Sequence, residues 1–258
     1  MNPKLENLSR RDFLRSTAVG VAGASLVAGE AASAFVANDN YGPFHAGLQS
    51  YSLRGFKTEE ALKITQKLGL KYWEAFPAHF RMTHDPVMIR EYKKLLNKYG
   101  VTLYSYGVLD FTTNEDDARY KFEFARLMGI KTLSAYPQPN AFGLLNQLVD
   151  EYKINIAIHN HGPGDNLYDL ISKEEKALQS ADDRIGACID TGHYLRSNED
   201  PVSAASRFGK RVYSVHLKDV KDGANGAKEM TEMGKGNLKT VEFLKTLIAN
   251  RFQGILAV

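Results

Sequence analysis

Short apolar runs alternate with segments of helical spacing along most of the chain. The runs lie near residues 46–51, 71–75, 102–107, 131–135, 154–159, 185–190, 212–217 and 253–258. Because each run is short and bounded by polar residues, each predicts a β-strand. Eight strand candidates and about seven helices in alternation predict a (β/α)8 TIM barrel over residues 46–258. An open doubly wound sheet is the alternative, but the turn at 51–56 lacks its Gly-rich phosphate signature.

Several predicted helices have recognisable first turns. Thr58 is placed to cap one helix, and Asp85 followed by Pro86 begins another. A third begins near Thr113, with acidic residues in its first turn. Residues 237–249 carry an amphipathic stripe that we expect to face the core. The stripe comprises Leu238, Val241, Leu244, Leu247 and Ile248.

The N-terminus has the three parts of an export signal. Residues 9–15 read Ser-Arg-Arg-Asp-Phe-Leu-Arg, a mildly apolar stretch follows over 16–29, and small residues lie at 32–34. The paired arginines resemble a twin-arginine signal, and the apolar part is too short for a stable membrane span. We therefore expect residues 1–34 to direct export to the periplasm, or otherwise out of the cytoplasm, through the twin-arginine machinery, with residues 35–45 as a tether.

Composition and charge narrow the class of protein. With 43% hydrophobic and 24% charged residues, the chain has an ordinary globular composition. A net charge of only +3 gives no electrostatic footprint for nucleic acid. The single cysteine, Cys188, cannot form an intrachain disulfide, and we expect it to be a small buried apolar residue.

Polar residues gather at the carboxyl ends of the predicted strands, where a barrel of this kind carries its chemistry. The first strand ends with Gln49 and Tyr51, and the second ends at Glu74. The fifth, sixth and seventh strands end in His159-Asn-His161, Asp190-Thr-Gly-His193 and His216-Leu-Lys218-Asp219. Four of the seven histidines therefore lie in the last three of these strand ends.

The period of two along a strand sharpens this pattern. His159 and His161 share one face, as do His216 and Lys218. Each residue also has a simpler interpretation: hydrogen-bonded structural histidines, a turn aspartate at Asp190, or a surface ion pair between the lysine and the aspartate after it. Imidazole and carboxylate groups that converge would suit manganese, zinc or cobalt.

At these residues the chain resembles the xylose-isomerase-like barrel superfamily, the sugar phosphate isomerases/epimerases. The resemblance covers about residues 46–258. The motifs that carry it are Asp-Thr-Gly-His at 190–193, His-Leu-Lys-Asp at 216–219, Gly-Lys-Gly at 234–236 and Gln-Ser-Tyr-Ser at 49–52.

The resemblance implies one divalent metal ion: manganese, zinc, cobalt or magnesium. Its implied ligands are His159, Asp190 and His216, with His159 in the place of the family's usual glutamate. The implied catalytic groups are His193, His161 and Lys218. The expected substrate-binding residues are Gln49, Tyr51, Arg54, Glu74 and His79. In the family a further glutamate ligand follows the eighth strand, whereas this chain ends with the run 254–258. We therefore expect the sequence to be truncated after the eighth strand.

The function that the resemblance favours is isomerisation or epimerisation of a sugar or keto-sugar derivative through an enediolate. A lyase that carries out β-elimination from a 3-keto-glycoside is the alternative, and it tolerates the loss of the fifth-strand glutamate better. A non-catalytic sugar-binding barrel is also open, as is assembly into a homo-oligomer. Cleavage of damaged DNA is disfavoured because the third strand end, near Tyr106, has no histidine for a multi-zinc cluster.

Overall fold

A computed structural model describes residues 41–224 and 227–258. Within them, eight parallel strands close into a barrel in the order β1-β10-β7-β6-β5-β4-β3-β2. These strands are β1 (His45–Gln49), β2 (Tyr72–Ala75), β3 (Thr102–Phe111), β4 (Thr132–Pro137), β5 (Asn155–His159), β6 (Ile185–Asp190), β7 (Val212–His216) and β10 (Ile255–Ala257). The predicted (β/α)8 barrel is confirmed. The expected signal at 1–34 and most of the tether lie outside the described residues.

Helices between the strands cover the barrel. They are α1 (Thr58–Lys67), α2 (Pro86–Tyr99), α3 (Glu115–Met128), α4 (Phe142–Tyr152), α5 (Ile171–Leu178), α6 (Thr191–Arg196), α7 (Pro201–Phe208) and α8 (Thr240–Ala249). None of the described helices is long and apolar enough to cross a membrane.

The strands could be predicted as apolar runs because most of their residues are buried. All six residues of β6 are buried, as expected for a parallel strand covered on both faces. Cys188 is buried in this strand, as predicted. Parallel pairing of β1 with β10 closes the barrel, with His45 opposite Ile255. Ordered packing begins before the expected barrel boundary at residue 46, because Phe44 is only 6% exposed.

The helix starts were predicted with mixed success. Asp85 caps α2 and accepts a hydrogen bond from Val87 N, with Pro86 at the first helical position. Asn114 caps α3, and its first turn carries the expected acids. The prediction for Thr58 was wrong, because this residue lies inside α1 and its hydroxyl donates to the carbonyl of His79 instead.

The predicted stripe on the last helix was partly wrong. Leu247 and the neighbouring Phe243 are fully buried, whereas Val241 and Ile248 are 37% and 39% exposed. The helix begins at Thr240, so its buried face is centred on Phe243 and Leu247 rather than on the full predicted stripe.

An antiparallel hairpin after β7 was not predicted. Its strands are β8 (Asp219–Asp222) and β9 (Lys228–Thr231). The side chain of Asp219 anchors the segment that follows, since its two oxygens accept hydrogen bonds from the backbone N–H groups of residues 220, 234, 236 and 238. A Cβ on Gly236 would lie 2.3 Å from Asp219 Oδ1, so the Gly-Lys-Gly motif gives the carboxylate access to the backbone.

Candidate active site

A cavity of about 350 Å³ opens at the carboxyl ends of the barrel strands. This volume is at the lower end of the range for small-molecule sites. Its lining includes Gln49, Tyr51, Ser52, Phe76, Pro77, Gly107, Val108, His159, His161, His193, His216, Lys218 and Val258. Four of these described residues are histidines, so the lining is rich in imidazole, and no aspartate or glutamate is among them.

Asp190 lies directly behind the histidines of this lining and is fully buried. It is both the last residue of β6 and the N-cap of α6. Its Oδ1 accepts the backbone N–H of His193 at 2.9 Å. This capping bond leaves Oδ2 as the oxygen available to other groups.

Four side-chain nitrogen atoms surround Asp190 Oδ2. Lys218 Nζ lies 2.5 Å from this oxygen, and His159 Nε2 lies 3.4 Å from it. The Nδ1 of His216 and the Nε2 of His193 lie 3.7 and 3.8 Å from it. The strand ends therefore bring together the three residues expected to bind metal and two of the three expected to be catalytic.

The electrostatics of the cluster follow from burial and from this crowding. Burial would raise the pKa of Asp190, but hydrogen bonds with His159 and His216 and the charge of Lys218 hold it well below its usual value. Burial lowers the pKa of His159 to about 3 and also lowers that of His193. Asp190 is thus an anion at neutral pH, and these two imidazoles are neutral.

Glu74 orients His216 from inside the barrel. The Nε2–H of His216 donates to Glu74 Oε1 at 2.7 Å, which leaves Nδ1 facing Asp190. The other oxygen, Oε2, accepts hydrogen bonds from three buried serine hydroxyls, those of Ser105, Ser134 and Ser214. Metal-binding histidines commonly use such a carboxylate to fix ring and tautomer.

Glu74 and His216 form a buried pair in which each group stabilises the charge of the other. Burial would raise the pKa of Glu74, but the charge and hydrogen bond of His216 and the serine hydroxyls lower it to about 2. Burial opposes charge on His216, yet the Cys188 sulfur and the carboxylates of Glu74 and Asp190 hold its pKa well above its usual range. Glu74 was expected to bind substrate; the structure places it, with no exposed surface, in the barrel interior rather than in the cavity lining.

Two residues that sequence reasoning missed hold the backbone of the site. The side-chain amide of Asn160 donates to Asp190 O and accepts from Asp190 N. Thr191 Oγ1 accepts the N–H of Lys218 at 2.8 Å and donates to the carbonyl of the same residue at 2.6 Å. Their only signal in the sequence was their position inside the His-Asn-His and Asp-Thr-Gly-His motifs.

His161 also lines the cavity and is less buried than His159. Its ring centroid is 4.9 Å from that of His159, 4.7 Å from Tyr136 and 5.7 Å from His193. His161 Nδ1 is buried and has no hydrogen-bond partner within the described parts of the chain. His193 Nδ1 faces a cation, since Arg196 Nη1 lies 3.5 Å from it.

The first-strand residues form the opposite wall. Gln49 and Tyr51 line the cavity, and the guanidinium of Arg54 lies 4.5 Å from the centre of the Tyr51 ring. Tyr51 also contacts Phe76 edge-on, with ring centroids 4.9 Å apart. His79 lies away from this wall: it is 7% exposed and contacts Ser50 Oγ and the Phe56 carbonyl.

The donor set suits a divalent metal ion. His159, Asp190 and His193 each offer one ligand atom, all within 4.8 Å of one another, and His216 presents its Nδ1 to the same carboxylate oxygen. The buried Nδ1 of His159 lacks a partner among the described residues. One carboxylate and the neutral imidazoles of His159 and His193 are ligands that zinc, manganese and cobalt accept, and His216 would release its Nδ1 proton on binding the ion.

The fold and site are similar to those of xylose isomerase-like barrels. The family model described as "Xylose isomerase-like TIM barrel" matches residues 140–258, just under half of the chain. This segment carries His159, Asp190 and His216. The match supports the resemblance seen in the sequence motifs.

Several curated proteins are similar to parts of the chain. The rhizopine catabolism protein MocC of Rhizobium meliloti is 26% identical over 128 residues, which cover 44% of this chain and 39% of that protein. An inosose dehydratase of Clostridium beijerinckii is 32% identical over 80 residues, which cover 30% of this chain and 26% of that protein. An inosose dehydratase of Mesomycoplasma hyopneumoniae is 26% identical over 221 residues, which cover 67% of this chain and 72% of that protein. The chain thus spans well under two thirds of the first two relatives.

Solved structures share the barrel. An uncharacterised protein from Parabacteroides distasonis superposes with a TM-score of 0.65 at 25% identity, covering 83% of this chain and 89% of that one. The IolI protein, solved with a bound zinc atom, has a TM-score of 0.66 at 14% identity and covers 83% and 87%. At that identity the second likeness establishes the fold alone.

Proposed function

We propose that this protein is a xylose isomerase-like enzyme that removes a proton next to the carbonyl of a keto-sugar or keto-cyclitol and then eliminates a β-hydroxyl group. The observation that carries the proposal is the ring of four nitrogen atoms around the single oxygen Asp190 Oδ2, on the wall of a small cavity. Such a cluster can bind a cation and still offer neutral imidazoles as bases.

His159, Asp190 and His216 would hold the divalent ion. When bound, such an ion would polarise the carbonyl oxygen and acidify the adjacent C–H bond. The identity of the ion stays open among manganese, zinc, cobalt and magnesium. Asp190 supplies the charge, and Glu74 keeps His216 Nδ1 directed at the site.

His193 and His161 are the proposed bases. The pKa of His193 is lowered by burial, so its imidazole is neutral and able to accept a proton at neutral pH. The base takes the proton from the carbon next to the carbonyl, and the C–H electrons form a C=C bond. The bond to the β-hydroxyl breaks, and that oxygen leaves as water after receiving a proton from a second group, for which Lys218 is placed on the cavity wall.

Two observations favour elimination over proton transfer between two carboxylates. At the end of β5 the cavity is lined by His159, which stands in the place of the family's usual glutamate, so a mechanism that uses two carboxylates lacks one of them. In addition, two of the similar curated proteins are named inosose dehydratases, and a dehydratase removes water from its substrate.

Isomerisation or epimerisation is the second candidate, because it begins with the same proton removal. An epimerase needs a second acid/base group to return the proton, and His161 and His193 supply two imidazoles with ring centroids 5.7 Å apart. A protein that binds sugars without turnover would use the same cavity, and assays distinguish it from both enzymes.

The test is incubation of the metal-loaded protein with an inosose and with keto-sugars in deuterated water, followed by NMR and mass spectrometry. Elimination gives a product lighter by one water. Epimerisation gives a product of unchanged composition with deuterium at the reacting carbon. If the ligands bind but neither product nor deuterium uptake appears, with or without added metal, the enzymatic proposal fails.

Export is a separate part of the proposal. The twin-arginine pattern at 9–15 and the small residues at 32–34 support transport in the folded state and cleavage after Ala34. N-terminal sequencing of protein recovered from the periplasm tests this. Retention of Met1 or of the paired arginines would contradict it.

A further inference from the structure

We infer that Lys218 is the resident cation of the Asp190 site and that its ammonium group exchanges with the divalent ion. The inference rests on the proposed metal site and adds a function for this residue. In the metal-free protein Lys218 neutralises the buried carboxylate. When the ion binds, the ammonium group moves away from Asp190 and into the cavity, where it becomes available to substrate oxygen atoms.

The ion pair has the geometry of an occupied cation site. Lys218 Nζ lies 2.5 Å from Asp190 Oδ2, closer than any of the three imidazole nitrogens around that oxygen. The Asp190 side chain is fully buried, whereas that of Lys218 is 39% exposed. A buried carboxylate without a counter-charge is strongly destabilised, and this ammonium group is the positive charge nearest to Asp190 Oδ2.

The two cations compete because the carboxylate has only one free oxygen. Asp190 Oδ1 is committed to the backbone N–H of His193 in the cap of α6. A divalent ion held by Oδ2 and the surrounding imidazoles would be close to the ammonium group, and like charges at this range inside a protein repel strongly. Binding of the ion therefore requires the lysine side chain to leave.

The backbone of Lys218 is held so that only its side chain moves. Thr191 Oγ1 bonds both the N–H and the carbonyl of Lys218. Gly192 leaves room for the side chain, because a Cβ there would lie 2.9 Å from Lys218 Cβ and 3.4 Å from Asp190 Oδ1. The Asp-Thr-Gly and His-Leu-Lys motifs thus fix the backbone of Lys218. Its flexible side chain can place the ammonium group either on Asp190 or in the cavity.

Lys218→Met tests the exchange through metal affinity. The variant removes the competing charge, so we expect it to bind manganese or zinc about tenfold more tightly than the wild type, measured by calorimetry or competition with a chelator. The matched control is Lys239→Met, which removes the lysine from another N-cap aspartate, Asp200, at the surface. We expect this control to bind metal like the wild type.

A second measurement needs no substitution. Acetylation of individual lysines, followed by mass spectrometry, should modify Lys218 several times faster after manganese is added, because the ammonium group is released from Asp190. Acetylation of Lys239 should not change. If a saturating concentration of the ion leaves the acetylation rate of Lys218 unchanged, the exchange is overturned, even if Lys218→Met fails to fold.

The outcomes separate this inference from the proposed function. Equal or weaker metal binding by Lys218→Met, with the wild type still binding metal, overturns the exchange and leaves the metal site standing. Failure of the wild type and of both variants to bind any divalent ion overturns the metal site and the exchange together. The exchange is supported if Lys218→Met alone binds metal more tightly and if the ion speeds the acetylation of Lys218 in the wild type.

Discussion

Two fully buried glutamates in this barrel have opposite electrostatic properties. Glu74, inside the barrel, contacts His216 and three serine hydroxyls, and its pKa is lowered to about 2. Glu174, on α5 in the helical layer, accepts one hydrogen bond from Tyr194, and burial raises its pKa to about 8. Its Oε1 has no partner among the described residues.

The comparison shows that burial alone does not decide whether a carboxyl group carries charge. Both side chains have no exposed surface, so the cost of burying a charge is similar for both. Glu74 is ionised because a cation and hydroxyl donors surround it, whereas Glu174 is protonated because they do not. Of the two glutamates, Glu74 is the one that orients His216, a proposed metal ligand.

Glu174→Gln should give the largest effect, in alkaline solution. Its folded pKa of about 8 lies above the ordinary value of 4.5, so the stability associated with its proton is complete in acid and is lost as pH rises through 8. We expect the wild type to lose on the order of 4 kcal/mol between pH 5 and 9 from this group, and the variant to lack this loss. Urea unfolding across this pH range measures it, and parallel profiles for the two proteins would contradict it.

Glu74→Gln should destabilise the protein at neutral pH. The change removes the nearer of the two carboxylates that pair with the buried, charged His216, which costs roughly 3 kcal/mol. The same substitution at Glu174 should cost little at pH 7, since a neutral group replaces a neutral group. Urea unfolding of both variants at pH 7 makes the comparison direct. Similar losses would show that the two environments do not differ as described.

Metal affinity should separate the same two variants. Without Glu74 the orientation of His216 Nδ1 is no longer fixed, and changes of this kind weaken metal binding about 10- to 100-fold. Glu174→Gln should bind metal like the wild type because, among the described residues, Tyr194 is the only hydrogen-bond partner of the Glu174 side chain. Calorimetric titration with zinc or manganese measures both. A loss of affinity in the second variant would point to a general effect on folding.

Ser134→Ala should give the smallest effect. It removes one of three hydroxyl donors to Glu74 Oε2, a bond of 2.7 Å. A hydrogen bond to a charged group contributes about 1.5–3 kcal/mol, and the remaining serines should reduce the loss to about 1 kcal/mol. Ser52→Ala, on an exposed hydroxyl with a 3.4 Å contact, is the matched control and should be neutral. Equal unfolding midpoints for the two would contradict the expectation.

Much of the barrel was predictable because its strands are apolar runs that end in polar residues. The same rule predicts the positions of His159, Asp190 and His216 at strand ends, where the structure has them. The hairpin at 219–231 was missed because its sequence is polar and follows a strand directly, so no apolar alternation indicated it.

Contacts between distant residues could not be read from the sequence. Glu74 and His216 are 142 positions apart, and nothing local indicates that they share a hydrogen bond. The contacts of single serines such as Ser105 could not be predicted either, because a buried hydroxyl in a strand has no periodic pattern in the sequence. Asn160 was missed because the two flanking histidines face the cavity, while its own side chain faces the neighbouring strand and bonds the Asp190 backbone.

The most direct test of the account compares two aspartates that have the same local structure. Asp190 and Asp200 each cap a helix through Oδ1 and contact a lysine through Oδ2. In Asp190→Asn and Asp200→Asn the cap can form, but the charge is lost. The measurement is metal-dependent deuterium uptake from water into an inosose, with bound metal determined on the same samples. We expect Asp200→Asn to retain both, and Asp190→Asn to lose both by at least about a hundredfold. Wild-type metal content and exchange in Asp190→Asn would contradict the central claim that this carboxylate organises the site.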